Sequence, residues 1–163
     1  MTQPEMLPIS IWIETTPLHT FMVQNQIAFT FCETLHFMGL TILAGALLVI
    51  DLRGLGFLKR MPLYELHKLV PFAIGAFAVQ LLTGLAFIFS NPNHYFLDLS
   101  FQVKMVLVVL AGLNALAFEF LVFRPMKAGV PNVESWAVTK ITSGLSIALW
   151  AGVLICGRLI PYV

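Results

Sequence analysis

Glu33 and His36 stand three residues apart in the stretch CETLHFMGL, residues 32–40, inside a segment otherwise made of apolar and small residues. At that spacing two helical side chains are neighbours, so a carboxylate and an imidazole would share one face. Ionisable groups inside a membrane are costly, and by default they mark a site with a partner. Neutral imidazole is also a common ligand of haem iron. The chain contains no CxxCH, so a haem ligated by His36 would be a non-covalent b-type group.

The elements that must position these residues follow from composition. Of 163 residues, 59% are hydrophobic and 10% charged, and the mean hydropathy is +0.91, too apolar for a soluble domain. The uncharged runs from Thr34 to Ile50, Leu69 to Ser90, Met105 to Phe118 and Ile141 to Gly157, with their apolar flanks, each reach about the 20 residues a membrane span needs. The expected fold is all-α: one integral membrane domain over residues 1–163, a four-helix bundle with helices at about 26–51, 67–90, 100–123 and 138–160. No segment alternates as an outer-membrane barrel strand would. Residues 1–25 read as a surface preface without a cleavable signal peptide: a short interfacial helix around Ile9, Trp12 and Ile13, then a restart at Thr15, Thr16 and Pro17.

Lys and Arg set the expected orientation. Arg53, Lys59, Arg60 and Lys68 follow the first span, and Arg124, Lys127 and Lys140 follow the third, whereas the other side carries Lys104 and Arg158. By the positive-inside rule the two basic loops are cytoplasmic, and both termini lie outside a bacterial inner membrane. The formal net charge of +1, with no aromatics interleaved among the basic residues, gives no sign of a nucleic-acid surface. Phosphate loops, nucleophile elbows and HExxH motifs are absent. Any catalysis must therefore rest on a bound cofactor.

At about 1.5 Å rise per residue, Glu33, Lys104 and Arg158 fall about 27 to 30 Å above the cytoplasmic ends of the helices, and His36 about 22 Å above them. Three charges thus share an outer layer, with His36 one turn deeper. At its level stand Gln80, Thr83 and Gly84, then Ala111, Gly112 and Ala115, then Gly152 and Cys156, with Gly39 on its own helix. These leave room for a flat ring, although small residues also serve simply to bring membrane helices together. In the haem reading His36 ligates iron, Lys104 and Arg158 pair with propionates, Glu33 tunes the charged layer, and Gly39, Thr83, Gly84, Gly112 and Gly152 border the ring. A second axial ligand could be His94, Met105 or the His36 of a neighbouring subunit, or the iron could be five-coordinate. Against this stands a cofactor-free reading, in which His36 hydrogen-bonds a neighbouring helix and the chain is an oligomeric scaffold associating through Gly144, Ala148, Gly152 and Cys156. Copper held by Cys32, His36 and Met38 is a third option. Asn114 and Glu119 read as interhelical glue or as groups with a proton or quinone role, and His67 as interfacial.

The segment ETLHFMGLTILAGALLVIDLRGLG resembles the first helix of a family of small bacterial four-helix membrane proteins of unknown function, marked by Glu-x-x-His and a closing Asp-Leu-Arg. LVPFAIGAFAVQLLTGLAFIF and FQVKMVLVVLAGLNALAFE extend the likeness over roughly residues 30–120. More distantly, the early histidine followed by glycine and the lysine opening a later helix are similar to the copper-resistance D-type proteins and to the HemJ-type proteins of haem biosynthesis. The latter likeness implies bound haem, with His36 and Lys104 as the matching positions. The function expected on all these grounds is electron transfer by haem b at the outer face, to or from quinone or a periplasmic partner, in a homo-oligomer within the lipid bilayer.

Overall fold

A computed structural model describes residues 7–160. It is all-α: α1 (Pro8–Glu14), α2 (Pro17–Gln24), α3 (Gln26–Gly54), α4 (Leu63–Leu66), α5 (Val70–Ser90), α6 (Pro92–Leu97), α7 (Leu99–Phe118), α8 (Arg124–Lys127) and α9 (Ala137–Leu159). A 3-10 turn at His67–Leu69 joins α4 to α5, and a π turn at Glu119–Phe123 joins α7 to α8. Four helical stretches, Gln26–Gly54, Leu63–Ser90, Leu99–Lys127 and Ala137–Leu159, are long and apolar enough to cross a membrane. Their outward faces are apolar, with Leu82 69% and Ile27 83% exposed, an arrangement stable in lipid and not in water. The chain is a multi-pass membrane protein.

Side chains at the helix starts explain the segmentation. Pro17 opens α2 while the Thr16 hydroxyl accepts from the His19 amide, so the restart at Thr15 to Pro17 is where the sequence places it. Asn25 separates α2 from α3 by accepting from the Ala28 amide, and Asp98 caps α7 by accepting from the Phe101 amide at 2.6 Å. On α1, Ile9, Ile11 and Trp12 are exposed while Ser10 and Ile13 are buried.

The sequence predicts an end to the first long helix at about residue 51, and α3 runs on to Gly54. It stops in a Schellman motif: the Gly56 amide bonds the Arg53 carbonyl, the Phe57 amide bonds the Leu52 carbonyl, and Gly56 sits at φ 98°, where a side chain would be strained. The two glycines of DLRGLG therefore do different work. Gly56 ends the helix, and Gly54 faces α9, where a Cβ would overlap the Ser143 hydroxyl.

Packing pairs α3 with α5 and α7 with α9, and the α3–α9 contact joins the two pairs. One apolar cluster, Ile50, Leu63, Leu66, Phe118, Val122, Phe123 and Val133, fills the end near the basic loops. A second, Leu43, Ala73 and Ala76 with Phe77 and Trp150 against them, fills the middle. Neither includes a residue at the level of His36.

Candidate functional site

Helices α3 and α5 approach closely around Gly39, where a Cβ would stand 3.3 Å from the Ala76 carbonyl oxygen and 3.3 Å from a Val79 methyl. That approach brings two polar side chains of α5 onto α3. The Gln80 amide donates to the His36 backbone carbonyl, and His36 Nδ1 lies 2.7 Å from Thr83 Oγ1. The Thr83 hydroxyl has one proton, and it points at the Val79 carbonyl, 2.7 Å away, as threonine in a helix commonly does. The remaining assignment is that His36 donates from Nδ1 to the Thr83 oxygen. Nε2 is then the unprotonated nitrogen, and among the described residues it has no hydrogen-bond partner.

The rest of the imidazole is framed by α5. Phe87, one turn beyond Thr83, holds its ring 5.1 Å from that of His36, and Phe29 stacks behind Phe87 at 5.6 Å. A Cβ on Gly84 would lie 3.9 Å from His36 Cε1, so Gly84 borders the edge of the ring between the two nitrogens. Lys104, on α7, is close enough to act on His36 electrostatically. Its stem runs along Gly157 of α9, and its ammonium sits 5.6 Å from the Phe101 ring centre, which itself meets Tyr95 at 5.6 Å. Tyr95, between the long helices α5 and α7, titrates above its ordinary range because it is buried and, secondarily, because the Glu33 carboxylate is near.

Six of the residues expected around His36 are thus accounted for at this end of the molecule. Thr83, Gly84 and Gly39 position or border the imidazole, Lys104 faces it from α7, and Glu33 is exposed on the side of Tyr95. Arg158 is exposed near the end of α9. Gly112 and Gly152 are not brought to the ring. Gly112 is exposed with nothing near its Cα face, and the space at Gly152 is taken by Leu107, 3.0 Å from where a Cβ would be. Gly144 likewise faces Leu55, so these α9 positions serve contacts inside the chain. His94 is exposed on α6 against Tyr95, and Met38 is exposed, away from a shared site with His36. Among the described residues no three His, Cys, Asp or Glu side chains converge as a metal cage.

Phe87, Phe101 and Tyr95 were not expected in the site. Phe87 was findable, since it lies four residues after Thr83 on one helical face. Tyr95 depends on how the α5–α7 connection folds back, which no periodicity reveals. The other expected polar residues are engaged away from His36. His67 Nε2 is 3.2 Å from Glu119 Oε2 and 3.0 Å from Lys127 Nζ, and Asn114 donates to the Thr142 carbonyl as interhelical glue.

The model of a family of unknown function, DUF6644, matches residues 10–163. The match continues through α9, beyond the segment of about residues 30–120 in which the likeness lies in the sequence motifs. No curated protein matches the chain, and no solved structure does.

Proposed function

Since the chain belongs to this family of unknown function, we propose from its own residues that it is a b-type haem protein transferring electrons at the outer face of a bacterial inner membrane. The observation that carries this reading is the contact of His36 Nδ1 with Thr83 Oγ1 at 2.7 Å, while Nε2 has no hydrogen-bond partner among the described residues. Ligating histidines are held in this way, by a hydrogen bond from the other ring nitrogen, which fixes the tautomer and the ring direction. Gly84 presents no side chain beside Cε1, and Lys104 offers a cation for a propionate. The basic loops at the far end support an orientation with this site outside and both termini on the same side. When bound, the haem supplies a one-electron couple; the chain's part is to hold the ligand nitrogen, fix the ring and neutralise the acid groups. His36 is the residue of this chain that would hold the haem; His94 is exposed on α6, with its ring 5.6 Å from that of Tyr95.

A second reading has its own observation. Gln80 and Thr83 clasp α3 at His36, and Gly39 lets them reach it, which is also how a cofactor-free scaffold would be held together. An optical spectrum separates the two. Protein produced with ample haem and purified in mild detergent is expected to show a Soret band and, after dithionite, an α band, both lost or displaced in His36→Ala. A colourless protein would leave the scaffold reading standing, and an unchanged spectrum in His36→Ala would move ligation elsewhere.

A further inference from the structure

The α3–α9 seam holds a group that the outer site does not use. Asp51 is 5% exposed, and Ser146 of α9 is close enough to act on its carboxyl. One turn along α3, Gly54 packs on Ser143, whose hydroxyl is fully enclosed and has no hydrogen-bond partner. The charged groups around the seam are committed elsewhere. Arg53 on α3 is tied to Glu134 and to the Met61 carbonyl, and Glu65 on α4 pairs with Lys68. His67 before α5 and Lys127 on α8 are engaged with Glu119, α7 contributes the neutral Asn114, and on α9 Lys140 is exposed while Thr142, Ser143 and Ser146 are uncharged. Among the described residues no cation lies within ion-pair distance of Asp51.

We propose that Asp51 is a proton-binding site, its carboxyl held as the neutral acid between α3 and α9. A buried carboxylate without a counter-charge must be neutralised, by a proton or by a small cation. Hard cations take about six oxygen ligands. Here the Thr139 and Thr142 hydroxyls are donated to backbone carbonyls and the Ser143 hydroxyl abuts Gly54, leaving Ser146 beside the carboxyl. A proton needs only what is present, and a protonated carboxyl brings an O–H donor to a seam containing an unpartnered hydroxyl oxygen. Because α3–α9 is a contact that joins the two helix pairs, release of the proton leaves a bare carboxylate at that joint and favours its hydration and opening. The proposal is independent of whether haem is bound.

The chain has two aspartates, so aspartate-specific 13C labelling isolates Asp51 from a single other carboxyl, the α7 cap Asp98. Infrared spectra of the labelled full-length protein at neutral pH are expected to contain an isotope-shifted protonated-carboxyl band that disappears in Asp51→Asn and persists in Asp98→Asn. Asn is the nearest neutral isostere, so Asp51→Asn is expected to fold and to lose less stability than the wild type as pH is raised. Absence of the band, its loss on adding sodium at constant pH, or failure of Asp51→Asn to fold while Asp98→Asn folds would each overturn the proposal; the sodium result would identify a cation site instead.

Discussion

His36 is defined by what each of its nitrogens meets. With Nδ1 satisfied by Thr83, the ring cannot turn without breaking a 2.7 Å hydrogen bond, and Nε2 keeps one direction. Thr83→Val preserves the shape and removes the acceptor. Haem affinity, measured by titration of the apoprotein, is expected to fall by about 10- to 100-fold, the usual effect of losing a partner behind a ligating histidine. Stability in detergent should fall by only about 1 kcal/mol, the scale of one hydrogen bond between membrane helices. A variant that loses stability but binds haem as before would assign Thr83 to the interhelical clasp alone. Glu33 is read through Tyr95. Burial and the nearby carboxylate both oppose the phenolate, so removing the carboxylate relieves part of the opposition. Glu33→Gln is therefore expected to move the Tyr95 titration, isolated spectrophotometrically against Tyr95→Phe, to lower pH. An unmoved midpoint would place Glu33 away from the mouth of the site.

At the scale of elements, glycines set how near the helices come. Gly39 admits α5, Gly54 admits α9, and Gly152 receives Leu107 from α7. Gly54→Ala must displace Ser143 in a fully packed seam, and is expected to cost about 1 to 3 kcal/mol, as overpacking does. Adding Ser143→Ala, which removes the overlapping hydroxyl, should recover part of that loss; additive penalties in thermal unfolding would show that the two residues do not meet. These contacts also mark what the sequence disclosed. The four apolar runs, the restart at Pro17 and the level of His36 near Thr83 and Gly84 were legible, because helix rise and hydropathy fix height along the membrane normal. Azimuth was not legible in helices that are apolar nearly all round. Gly112 and Gly152 share the height of His36 but point elsewhere, one to the exterior and one to Leu107. The expected helix at about 100–123 covers the continuation of α7, but its π geometry was hidden, since Glu119 to Phe123 have the composition of an ordinary helix.

The whole molecule is two helix pairs joined along the α3–α9 seam and through the apolar cluster at the basic end, which also carries a polar tie between them. Arg53 leaves the end of α3 with its side chain 10% exposed, donates to the Met61 carbonyl and pairs with Glu134, which also accepts from the Leu63 amide at 3.1 Å. One arginine and one glutamate thus connect α3, the loop before α4 and the segment before α9. Breaking a fully buried pair from one side costs about 3–5 kcal/mol. Glu134 is 35% exposed, so solvent takes up part of that loss and about 2 kcal/mol is expected for Arg53→Ala. Lys68 and Glu65 form the contrasting case, with side chains 76% and 50% exposed, and Lys68→Ala should change stability by less than about 0.5 kcal/mol. Arg53→Lys is expected to resemble Arg53→Ala more than the wild type, because a single ammonium cannot present the guanidinium's fork to a carboxylate and a carbonyl at once. Detergent unfolding of the three variants measures the order directly. If Lys68→Ala proved as damaging as Arg53→Ala, the surface pair and not the Arg53 tie would be fastening the basic end.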